Sequence, residues 1–129
     1  MSTLLSWLGK SDIVASKGGS LGGIGPIAQA ATRLEFERIE ILSNYPATDY
    51  KAYAKWLNKL CNAKPVIIHV ELTDPTDYAK IYEAARRRIK EILKSDPHIK
   101  LTFHLSPGTP AMSSVWLLLS KTFCDADLV

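Results

Sequence analysis

Short apolar runs alternate along the chain with stretches in which apolar positions recur every three or four residues. The runs cover residues 3–8, 38–42, 66–72 and 99–105. The third is apolar at nearly every position and rich in β-branched residues, the pattern of a strand buried on both faces. Between the runs the period lengthens to that of a helix. Residues 26–34 form one such segment, with Pro26 in the first turn, where its missing N–H costs nothing. A second begins at Thr48 or Asp49 as N-cap and carries Tyr50, Tyr53, Ala54, Leu57, Leu60 and Cys61 on one stripe. Thr76 or Asp77 caps the longest, with Tyr78, Ile81, Tyr82, Ala85, Ile89, Ile92 and Leu93 on its apolar face. Arg86, Arg87 and Arg88 fall off that face and read as solvated. The fourth runs from Thr109-Pro110 to about residue 123, and residues 127–129 begin a fifth strand.

Strands alternating with helices predict an α/β domain: a Rossmann-like three-layer sandwich with a mostly parallel central sheet and helices on both faces. At 129 residues the chain is expected to be one such domain. In these sheets ligands bind beyond the carboxyl ends of the strands. That rule selects three loops, residues 9–23, 43–46 and 106–112.

Composition narrows the function. The chain is 47% hydrophobic and 22% charged, with a net charge of +3. That mild excess suits a small anionic ligand and falls short of the basic stripe of a duplex-DNA binder. Cys61 and Cys124 form no CxxC or zinc spacing, and His69, His98 and His104 no metal set. Neither a metal nor a cofactor is expected. With no signal peptide and no membrane-spanning window, the expected location is the cytoplasm, away from membranes.

Ser106-Pro107-Gly108-Thr109-Pro110 joins a strand to a helix. Gly108 permits a tight turn and a close approach, Thr109 is a good N-cap, and Pro110 suits the first helical position. The first-turn amides and the helix dipole make such a turn an anion site, or simply a well-capped helix start. Gly9-Lys10-Ser11 has the tail of a Walker loop, but Leu4 stands where that loop needs glycine. Gly23-Ile24-Gly25-Pro26-Ile27-Ala28 fits G-x-G-x-x-A but lies some fifteen residues past the first strand, too far for a dinucleotide fingerprint. His69 reads as a sheet histidine, His98 as exposed, and His104 as a candidate to face the cleft. Val115-Trp116-Leu117-Leu118-Leu119 is apolar all round a turn, a helix either buried or shared with a second subunit.

Leu105-Ser106-Pro107-Gly108-Thr109-Pro110-Ala111-Met112, followed by Val115-Trp116, resembles the ligand loop of CARF domains, the CRISPR-associated Rossmann-like sensors of cyclic oligoadenylates. It is most similar to the amino-terminal sensor of sigma-54-dependent regulators of RNA-repair (Rtc) operons. Trp7 to Asp12, Leu21 to Ile27 and Leu42 to Pro46 fit the same group. The resemblance implies a dimeric domain with a nucleotide or RNA-end ligand, either a cyclic oligoadenylate or a 2′,3′-cyclic-phosphate RNA. It implies that Gly108, Thr109, Pro110 and Met112 line the site, with Trp7, Gly9, Lys10, Ser11, Ser43 and Asn44 nearby; from the turn itself, the Ser106 and Thr109 hydroxyls are candidate hydrogen-bond donors to a phosphate. It also implies that this domain is the amino-terminal part of a longer regulator, reaching DNA and sigma-54 RNA polymerase only through other domains. Sensing without catalysis is the expected activity. The alternative is a ring nuclease or phosphodiesterase using Lys10, Asp12 or His104.

Overall fold

The computed structural model describes residues 2–19 and 23–129. Strands β1 (Ser2–Trp7), β2 (Arg38–Ser43), β3 (Lys64–His69), β4 (Lys100–Phe103) and β5 (Asp127–Leu128) form one sheet. Its order is β3-β2-β1-β4-β5, and every pairing is parallel. Helices α1 (Lys10–Ser16), α2 (Pro26–Arg33), α3 (Ala47–Asn58), α4 (Tyr78–Ser95) and α5 (Pro110–Thr122) supply the crossovers.

The alternation of side chains along a strand decides which helices cover which face. Leu4, Ile39 and Ile41 point to one side and pack with Ile13, Ile27, Ala28, Tyr53 and Leu57 of α1, α2 and α3. Leu5, Trp7, Leu42, Leu101 and Phe103 point to the other, against Ile81, Ala85, Ile89, Met112, Val115 and Trp116 of α4 and α5. Phe103 and Trp116 stack there, with ring centroids 4.7 Å apart. The result is the three-layer Rossmann-like sandwich that the periodicity predicts.

Four expectations change. Residues 9–23 were expected as one loop, yet α1 forms within them, because Ile13 and Ala15 pack into the core and Asp12 caps the start. The Ile13-Val14 pair has modest helix propensity, and tertiary packing overrides it. β3 was expected to be buried on both faces. It is instead the half-buried edge strand, spanning Lys64–His69 and stopping three residues short of Leu72. His69 ends that strand with its side chain 38% exposed and Nε2 2.9 Å from Glu71.

The N-cap of α3 is Pro46, whose carbonyl accepts from the amides of Asp49 and Tyr50. The arginine run is not wholly solvated either. Arg86 lies over the Phe123 ring, and Arg88 Nε donates to Oε1 of buried Glu40 on β2. Arg38 Nε stands 3.0 Å from the other oxygen of Glu40, outside directed hydrogen-bond geometry. On α5 Val115, Trp116 and Leu119 are buried, whereas Leu117 and Leu118 are 42% and 50% exposed.

Candidate ligand cleft at the switch in strand order

The chain runs outward from β1 through β2 to β3, then returns across the sheet to place β4 on the other side of β1. The carboxyl ends of β1 and β4 therefore diverge at the topological switch point, where doubly wound sheets form their ligand crevice. A cleft of about 390 Å3 lies there. The turn after β1 contributes Leu8, Gly9, Lys10, Ser11 and Asp12; the loop after β2, Asn44 and Tyr45; and the turn after β4, Ser106, Pro107, Gly108, Thr109 and Met112. Pro26 and Pro75 complete it.

Two glycines allow the two principal turns to meet. A Cβ on Gly9 would sit 2.8 Å from the backbone nitrogen of Gly108, and backbone cannot swing aside. Gly108 itself has φ of +86°, where a side chain is strained, and a Cβ there would lie 2.5 Å from Met112 Sδ.

Asp12 holds the first turn in place. Its Oδ2 accepts from Gly9 N and its Oδ1 from Ile27 N, each at 3.0 Å, tying the β1 turn to the start of α2. Burial raises its pKa to about 6, and the two amide bonds only partly offset that. Thr109 holds the second turn. Its hydroxyl donates to the Pro75 carbonyl at 2.7 Å and accepts from Met112 N at 3.4 Å, so its proton is not free for a phosphate. Its own amide faces Met112 Sδ at 3.4 Å. Replacing Thr109 with Ala should lower stability by about 1–2 kcal/mol, through loss of the cap and an orphaned Pro75 carbonyl. Urea unfolding should find Thr109→Ser near wild type; equal losses in the two variants would argue against this role.

Of the residues named from sequence, Gly9, Lys10, Ser11, Asn44, Ser106, Gly108, Thr109 and Met112 line the cleft. Trp7, Ser43 and Pro110 do not. Trp7 is buried in the α4/α5 core, Ser43 is buried with its Oγ accepting from Tyr45 N at 3.1 Å, and Pro110 opens α5 on an exposed position. Leu8, Pro26, Tyr45, Pro75 and Pro107 are additions. Four of these adjoin named motifs and were within reach of the sequence. Pro75 belongs to no motif and is found only through its bond to Thr109.

His104 is buried and lines an adjoining cavity, apart from Lys10 and Asp12, and burial holds its pKa down at about 4. Lys10, Asp12 and His104 therefore do not converge on one point. Both oxygens of Asp12 are engaged by backbone amides.

Anion binding is favoured by Lys10 and by the starts of α1 and α5, whose dipoles point positive at the cleft. Asp12 opposes it, softened by its two amide donors. Among the described residues no three His, Cys, Asp or Glu lie together as a metal set, and no helix is long and apolar enough to cross a membrane. Cys61 and Cys124 are unbridged and half-buried, with thiol pKa values raised by burial.

Strand order and site position define a Rossmann-like α/β domain with its crevice between β1 and β4. No family model and no curated protein matches the chain. Among solved structures it is similar to Enterococcus italicus Csm6 bound to cyclic hexa-2′-fluoro-hexa-dAMP, with a TM-score of 0.84 and 15% identity. The similarity covers 99% of this chain and 32% of that one, so the chain spans about a third of Csm6. The likeness is one of fold.

Proposed function

We propose that the domain senses a cyclic oligoadenylate or a related RNA-end phosphate in the cleft between β1 and β4. The observation that carries this is the meeting of the Gly9 and Gly108 turns, which places two helix starts and Lys10 around one crevice. The nucleotide in the similar Csm6 structure and the motif resemblance support the ligand class.

Thermal-shift and calorimetric titration with cyclic tetra- and hexa-adenylate, and with an RNA ending in a 2′,3′-cyclic phosphate, test it. A ligand at about 100 times its Kd should add about 2.7 kcal/mol of stability. Gly108→Val, strained at φ +86° and pressed against Met112, should bind at least tenfold more weakly. Failure of all these ligands to stabilise the wild-type protein would overturn the reading. Chromatography of the ligand after incubation should return it intact; shortened linear products would favour the ring-nuclease alternative.

The motif resemblance supports a finer reading, in which this is the sensor of a sigma-54-dependent regulator of RNA repair. Its test is the gene: an AAA+ module carboxyl-terminal to this domain is expected, and a frame without one overturns it. In the dimer of that reading, the exposed side chains of Tyr78 and Leu118, which line one groove between α4 and α5, meet a second copy. Leu118→Lys should then shift a sedimenting dimer to monomer.

A further inference from the structure

His104 follows β4 on the α2 side of the sheet, with its backbone amide bonded to Leu5 O. Only 4% exposed, it lines a second cavity of about 370 Å3 together with Gln29, Arg33 and Val129. Pro26 and Ser106 line both this cavity and the main cleft, so the two adjoin.

One tautomer of the ring fits the hydrogen-bond network around Ser6. Ser6 Oγ lies 3.3 Å from Nδ1 and 3.1 Å from the Trp7 carbonyl, an acceptor for its single proton. With the proton placed there Oγ can only accept from the ring, so in this tautomer Nδ1 carries the imidazole proton and Nε2 is a bare acceptor. Nε2 has no partner among the described residues. The ring lines the cavity, beside Gln29 and Arg33 of α2.

We propose that this cavity is a second subsite, in which His104 Nε2 accepts a hydrogen bond from an uncharged donor on the nucleotide held in the main cleft. The inference rests on the functional reading above and deepens it. Arg33 also lines this cavity, a cation available to a phosphate of the same ligand. A ribonucleotide offers two kinds of uncharged donor, the exocyclic amine of its base and the 2′-hydroxyl of its ribose. A site with a fixed acceptor discriminates against an analogue that lacks the donor, because its buried lone pair is then left unpaired.

Calorimetric titration of cyclic hexa-adenylate, its inosine counterpart and its 2′-fluoro counterpart tests this on wild type, His104→Asn and His104→Gln. The wild-type protein should bind one of the two analogues about tenfold more weakly than the parent. Loss on the inosine ring identifies the base amine, and loss on the fluoro ring the 2′-hydroxyl. In His104→Asn the side-chain amide replaces Nδ1 toward Ser6 but puts nothing at Nε2. That variant should bind the parent about tenfold more weakly and no longer distinguish the analogue. His104→Gln, which restores an oxygen near Nε2, should recover part of the difference. Equal binding of parent and both analogues by the wild-type protein overturns the subsite, as does an undiminished preference in His104→Asn. If the wild-type protein binds none of the three rings, the reading of the main cleft fails instead, and the subsite with it.

Discussion

Arg88→Met should lower the unfolding free energy by about 3 kcal/mol, and the midpoint of thermal unfolding by roughly 10 °C. Glu40 lies in the middle of β2, buried on the face covered by α4, and Arg88 supplies the directed hydrogen bond to its Oε1. Removing the guanidinium strands a carboxylate in a site from which water is excluded, the costly half of breaking a buried pair. Arg38, its side chain 44% exposed, stays 3.0 Å from Oε2, which keeps the loss at the lower end of the range for such pairs. The Arg88→Met/Glu40→Leu double variant should regain most of the stability, since no charge is then left buried. Urea denaturation of the three variants checks this, and a loss under about 1 kcal/mol for Arg88→Met would refute it.

A second large effect is masked in the native protein. The folded state holds the Asp12 proton up to a pKa of about 6, against 3.8 for the open side chain. The stability from that proton is present below pH 3.8 and is lost as pH rises through 6. His104 does the opposite. Its pKa falls from 6.5 to about 4, so its contribution is present above pH 6.5 and is lost as pH falls through 4. Each is worth about 3 kcal/mol over nearly the same window, and the two slopes oppose one another. Relative to wild type, His104→Asn should gain stability on acidification from pH 6.5 to 4, and Asp12→Asn should lose it. Asp12→Asn also lowers stability at every pH, because an amide offers one acceptor oxygen where the carboxylate offered two. The slope, and not the offset, is diagnostic. Parallel pH profiles for both variants and wild type would show that neither group titrates as described.

The fold was legible because its determinants are periodic. Each strand places neighbouring residues on opposite faces, and Leu4 and Leu5 of β1 enter different cores as that rule requires. What misled was burial inferred from composition. The apolar run of β3 looked like a central strand, yet position in a sheet depends on crossover order, which a run of Val and Ile does not encode. Helix α1 was hidden for the converse reason: its polar and β-branched sequence is made helical by contacts that come from elsewhere in the chain.

Within the site, glycine and proline positions located the turns, and eight of the eleven named residues line the cleft. Trp7 and Ser43 belong to the same motifs but alternate into the sheet's interior, so adjacency to a motif did not place them in the crevice. The bond from Thr109 to Pro75 spans 34 residues, and no local pattern carries such a contact.

The place of β1 in the sheet has a consequence for hydrogen exchange. It pairs on both sides, with β2 and β4, and the turn that opens the cleft follows directly from it. Amides of a strand so enclosed exchange with solvent only when the whole domain opens. A molecule that bridged the β1 and β4 turns would therefore slow deuterium uptake throughout the centre of the sheet, in proportion to its occupancy, and not in the turns alone.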